Sequence, residues 1–176
     1  MGQAIMVGMA ELRVTRGSGD VLVALGLGSC IGVCAYDAMA GVAGMAHVVL
    51  PASVEGAGEA PGKYADTAVP ALFAAMKKAG ASPSHMLIAI AGGAQLFQFG
   101  GQVARLDIGR RNAAAVLQAL RVQSARLIAE DVGGTVGRTV SLRCADGAVV
   151  VKTLGQGERE LATLVSARRA ELARAA

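Results

Sequence analysis

Between Val21 and Val54 the chain carries a single formally charged residue, Asp37, yet it is not built to run as one apolar helix. Gly26, Gly28, Gly32, Gly41, Gly44 and Pro51 cut it into short apolar runs. Runs of that length, bounded by Gly, Asp and Pro, read as buried strands and not as a membrane span. The pattern therefore requires a sheet protein with strands deep inside it.

The centre of this segment reads strand, turn, strand: Ile31 to Tyr36, then Asp37–Ala40, then Gly41 to Pro51. With Tyr36 facing Gly41, counting back sets Cys30 opposite His47. Directly opposed residues share a face, with Cβ atoms roughly 5 Å apart. A thiol and an imidazole so placed can serve as a nucleophile and its base. A slip of one residue sends them to opposite faces. Gly28-Ser29 precede Cys30, and glycines let backbone N–H groups turn toward one point, as an oxyanion site requires. Gly92-Gly93 could add further N–H groups. The plainer reading of the residue types is a buried structural thiol beside a core histidine, since free Cys is among the most buried residues.

One domain fits 176 residues. Hydrophobic residues make up 53% of them and aromatic ones 3%, so the core must be built from Val, Leu, Ile, Ala and Met. Three cysteines, an odd number, with no signal-peptide pattern, point to reduced thiols and a cytoplasmic protein. The net charge is +4, and Arg105, Arg110, Arg111, Arg121 and Arg126 supply much of it. With so few aromatics for base stacking, these read as solvated helix faces and not as a nucleic-acid surface.

Strands are expected at Ala10–Val14, Val21–Leu27, His85–Ala91, Arg126–Asp131, Thr139–Cys144 and Ala148–Thr153, with Asp146-Gly147 as a hairpin turn. Helices are expected at Tyr64–Ala79, where Val69, Leu72, Phe73 and Met76 recur at helical spacing, at Gly109–Ser124, and at Glu158–Arg174. Pro70 predicts a kink or a later start in the first of these. The Pro51–Lys63 loop is long enough to gate a cleft. Short turns between neighbouring strands imply mostly antiparallel sheet with covering helices, an α+β layered domain.

Cys30 and Cys34 share a strand face roughly 13 Å apart, and few other ligands exist, so no metal is expected. Gly26-Leu27-Gly28 lacks the third glycine and the following helix of a dinucleotide site, and Gly62-Lys63 lacks the rest of a P-loop. No cofactor is expected.

Several stretches follow one another in a specific order. They are Leu25-Gly26-Leu27-Gly28-Ser29-Cys30, Gly44-Met45-Ala46-His47-Val48-Val49-Leu50-Pro51, Gly62-Lys63-Tyr64-Ala65-Asp66-Thr67-Ala68, Ala91-Gly92-Gly93-Ala94, Ile108-Gly109-Arg110-Arg111-Asn112 and Asp131-Val132-Gly133-Gly134. Over residues 5–155 the chain resembles the chemoreceptor glutamine deamidases, the CheD family. The resemblance implies a three-layer αββ fold like the catalytic domain of the cytotoxic necrotizing factor toxins, spanning residues 1–157. Residues 158–176 would be a C-terminal helical extension packed on that domain or trailing it.

The resemblance also implies a Cys–His protein-glutamine glutaminase. It would convert glutamines of methyl-accepting chemotaxis receptors to glutamate through a Cys thioester, with a CheC-type phosphatase as a second partner. Cys30 matches the nucleophile and His47 the base. The family places a Thr six positions before the Cys, where this chain has Ala24. Gly28, Ser29 and Thr67 are the candidates for oxyanion or orienting roles, and a backbone carbonyl is a further candidate for orienting the imidazole. Ala24 keeps a second reading open, a regulatory module for receptors or the phosphatase on a disabled deamidase fold.

Overall fold

The computed structural model describes residues 2–53, 60–96 and 107–165. Two five-stranded sheets and two helices make up the described fold. Strands β1 (Ala4–Met6), β3 (Val21–Leu27), β8 (Arg138–Arg143), β9 (Ala148–Thr153) and β10 (Gly157–Thr163) form an outer sheet in the order β1-β3-β8-β9-β10. Strands β2 (Leu12–Thr15), β5 (Val42–Val48), β4 (Ile31–Asp37), β6 (Leu87–Gly92) and β7 (Arg126–Val132) form a central sheet in the order β2-β5-β4-β6-β7. Pairing is antiparallel except for β1–β3 and β6–β7.

The central sheet is buried on both faces, which is why β4 and β5 read as unbroken apolar runs. Alternation still sorts their side chains. Ile31, Val33, Ala35, Val42, Ala46 and Val48 pack under α1 (Ala65–Lys78) and α2 (Ile108–Val122). Cys34, Tyr36, Ala43 and Met45 face the outer sheet and meet Leu22, Ala24, Leu27, Val140 and Val151. The layers are therefore helices, central sheet, outer sheet. Each fully buried aliphatic side chain contributes about 1.5–3 kcal/mol to holding them together.

Helix α1 forms where the spacing of Val69, Leu72, Phe73 and Met76 predicts it. Asp66 in its first turn and Lys77 and Lys78 in its last complement the helix dipole. Pro70 is accommodated inside the helix and does not delay its start. Gly44 on β5 admits the helix closely, since a Cβ there would lie 2.8 Å from the Met76 sulfur. Helix α2 starts with the Asp107 carboxylate accepting from the Arg110 N–H at 2.9 Å.

The C-terminal expectation needs correction. Residues 158–163, the start of the expected helix Glu158–Arg174, belong instead to strand β10 (Gly157–Thr163), antiparallel to β9. Gly155 and Gly157 adopt positive φ (75° and 87°) and turn the chain straight back onto β9. There the unpaired edge of β9 outweighs helix propensity, which is worth only tenths of a kcal/mol per residue. Residues 166–174 of that expected helix, 54–59 of the expected gating loop, and Arg105 lie outside the described residues. Strand β1 has no counterpart among the sequence-based expectations. Among the described residues no helix is long and apolar enough to cross a membrane.

Candidate active site

The β4–β5 ladder pairs Ile31 with Val48 and Gly32 with His47. Cys30 is thus aligned with Val49, two places from the expected register. A two-residue offset preserves the face, so Cys30 and His47 stay on one side of the sheet as diagonal neighbours, a separation of roughly 7–8 Å in a regular ladder. That side faces the outer sheet, where half-buried Cys30 packs against the inter-sheet core. Gly32 separates Cys30 from Cys34 on this face and is the residue paired with His47. A Cβ at Gly32 would come within 2.6 Å of Val140, so glycine is what allows the sheets to close here.

His47 is 3% exposed. Its Nδ1 lies 3.1 Å from the Val7 carbonyl oxygen. A carbonyl can only accept, so Nδ1 carries the proton and Nε2 bears the lone pair. Nε2 is buried without a hydrogen-bond partner among the described residues. Burial holds the imidazole pKa below its ordinary value, opposed by the Val7 bond and by Glu11. Burial pushes the Cys30 thiol up, opposed by its own backbone N–H. Both shifts favour a neutral thiol beside a neutral imidazole at rest.

Ala24 lies at the same spot. The parallel β1–β3 register (Met6 with Val23) carries Val7 to the level of Ala24, and the Val7 N–H donates to the Val23 carbonyl at 2.8 Å. Ala24 is fully buried and offers only a methyl group. A main-chain carbonyl from the residue just after the unforeseen strand β1 orients the imidazole in this chain. No residue type at position 7 announces this, because the acceptor belongs to the backbone.

The remaining motifs converge on this end of the central sheet. The Ala94 N–H donates to the Gly28 carbonyl at 2.7 Å, and the Gly93 N–H to the Cys30 carbonyl at 2.8 Å. The Gly93 donor is thereby occupied and not free for an oxyanion. Gly109 at the start of α2 sits against Gly93, where a Cβ would lie 2.3 Å from the Gly93 oxygen. Arg138 is 8% exposed and donates to the carbonyls of Gly92, Asp131 and Gly133 at 2.8–2.9 Å. Lys63 holds the chain beyond His47, its carbonyl accepting from the N–H groups of Val49 and Leu50. The Thr67 hydroxyl donates to the carbonyls of Pro61 and Tyr64 and serves its own turn. Ser29 and Gly28 form the corner leading into Cys30, with the Leu96 side chain over Gly28.

A half-buried thiol and a histidine with one committed nitrogen and one without a partner among the described residues, between two sheets under a helical layer, define an α+β protein with a thiol and an imidazole on one face at the end of a sheet sandwich. The family model described as CheD chemotactic sensory transduction matches residues 49–153. A protein of Symbiobacterium thermophilum named "Probable chemoreceptor glutamine deamidase CheD" is 49% identical over 157 residues, 88% of this chain and 95% of that protein. Proteins of the same name from Desulfitobacterium hafniense and Syntrophomonas wolfei are 42% and 39% identical, each over 90% of this chain and 99% of theirs. The chain belongs to the CheD family.

Proposed function

We propose that this protein deamidates glutamine side chains of chemoreceptors, with Cys30 as nucleophile and His47 as base. The observation that carries the reading is the shared inter-sheet face of Cys30 and His47, with Nε2 as the uncommitted lone-pair nitrogen. Because both groups rest neutral, the proton leaves sulfur only as attack begins, which is general-base catalysis. Nε2 takes the thiol proton and sulfur adds to the amide carbon. The Cys30 N–H, already turned toward its own thiol, faces the developing oxyanion. His47 returns the proton to the departing nitrogen, ammonia leaves, and a thioester remains. Water, deprotonated by Nε2, then releases glutamate and regenerates the thiol. The Val7 carbonyl keeps Nδ1 protonated and stabilises the imidazolium during each transfer.

The same reading gives the chain the αββ kinship with cytotoxic necrotizing factor catalytic domains, a cytoplasmic location, and a CheC-type phosphatase as regulator. The test is ammonia release from a purified receptor cytoplasmic domain, with mass spectrometry locating each glutamine converted. Release by the native protein and none by Cys30→Ala is the expected result. Full activity of Cys30→Ala overturns the mechanism. No release by the native protein, despite binding to receptor or phosphatase, turns the reading to the regulatory module that Ala24 favours.

A further inference from the structure

Asn112 is fully buried in the second turn of α2, and its Nδ2 donates to two carbonyls, Ser29 and Val49, each at 2.8 Å. These carbonyls belong to the segments that flank two neighbouring strands, Ser29 just before β4 and Val49 just after β5. Ser29 precedes Cys30, and Val49 lies two residues past His47. The β4–β5 ladder ends one step earlier, at Ile31–Val48. Beyond it each chain turns to another neighbour. The Cys30 carbonyl accepts from Gly93, and the Val49 N–H donates to Lys63. At the level of Cys30, the Asn112 amide is therefore the link between the segment that carries Cys30 into β4 and the segment that leaves His47 and β5, among the bonds described.

Two short donor arms on one planar nitrogen suit this task. A hydroxyl has one hydrogen, and a carboxylate has none to give. The Oδ1 of Asn112 stays buried without a partner among the described residues, a cost that a residue placed for packing alone would not carry. We propose that Asn112 is a positioning residue of the deamidase site: its amide clamps the Ser29 and Val49 backbones and so sets the spacing of Cys30 and His47. This rests on the Cys–His reading above.

The test compares Asn112→Ala with Val116→Ala, a cavity variant in the same helix that leaves the clamp in place. With the full-length protein and receptor domain, Asn112→Ala lowers kcat roughly tenfold to a hundredfold, the scale of a misplaced catalytic group. Its KM stays within about twofold and the loss exceeds that of Val116→Ala at matched thermal stability. A second readout is the rate of Cys30 alkylation by iodoacetamide in the native state, where His47→Ala slows labelling of the otherwise native protein.

In the Asn112→Ala background the His47→Ala change adds little, because the pair is already uncoupled. Equal kcat in the two helix variants, or an undiminished His47 effect in the Asn112→Ala background, overturns the clamp while leaving the Cys–His reading standing. If His47→Ala affects neither labelling nor turnover even with Asn112 present, the Cys–His reading itself fails, and the clamp with it. If Asn112→Ala does not fold, Asn112→Ser, which keeps one donor, takes its place with an intermediate loss expected.

Discussion

The two ends of strand β4 are equally buried and opposite in character. At the Asp37 end, a fully buried carboxylate accepts from the N–H groups of Met39, Ala40 and Ser82 at 2.8–3.1 Å. Beside it the Tyr36 hydroxyl donates to the Cys144 carbonyl. At the Cys30 end, His47 Nε2, Asn112 Oδ1 and Arg138 Nε are all buried and unpartnered among the described residues. Buried polar groups are normally satisfied, so three exceptions gathered at one end set it apart from the Asp37 end. The thiols follow the same division. Cys34, deep between the sheets, is pushed up to about 12 by burial, while Cys30 at the open end stays half-exposed.

The largest test of this contrast is His47→Gln, which keeps volume but removes the base. Ammonia release should fall roughly 10²–10⁴-fold, the usual worth of a general base, with the melting temperature nearly unchanged. Activity within a few-fold of the native rate would erase the functional end of the comparison. Asp37→Ala is the mirror experiment. It strands three backbone donors and should cost about 2–3 kcal/mol in urea unfolding, with turnover per folded molecule preserved. A tenfold lower kcat in that variant would show that both ends serve the reaction.

Ala24→Thr restores the family's residue. Adding atoms to a closed core should cost about 1–3 kcal/mol. Because the Val7 carbonyl already holds Nδ1, kcat should stay within about threefold of the native value. A large gain would show that the carbonyl alone is an inadequate partner.

The smallest effect expected is in pH dependence. The folded imidazole pKa lies below the ordinary 6.5, so the unfolded chain takes up its proton first as pH falls. The contribution of His47 to stability is therefore present above pH 6.5 and lost as pH falls through the lowered folded value. Urea midpoints measured across that window should decline in the native protein, and His47→Gln should remove that part of the slope. An identical slope in both would assign the decline to other groups.

The short apolar runs, the turn glycines and the helical spacing of Leu72, Phe73 and Met76 made most elements legible, because each is a local pattern with a local cause. The shared face of Cys30 and His47 was legible for the same reason: alternation survives a two-residue error in register. The error arose at the turn, where counting assumed that Tyr36 faces Gly41, whereas the ladder pairs Tyr36 with Ala43. Strand β10 was hidden because its residues favour a helix in isolation, and only the open edge of β9 makes them a strand.

The sequence by itself determined the candidate thiol and imidazole, the alternation that puts them on one face, and a set of motifs specific enough to place the chain in its family. The tertiary structure decided which groups hold that pair in place. The Val7 carbonyl reaches His47 from 40 positions earlier, just past the end of β1, and Asn112 reaches Ser29 and Val49 from a helix 83 and 63 positions later. Main-chain acceptors carry no residue identity. Their roles exist only once two sheets and a helix have been brought together, which is why no local pattern could announce them.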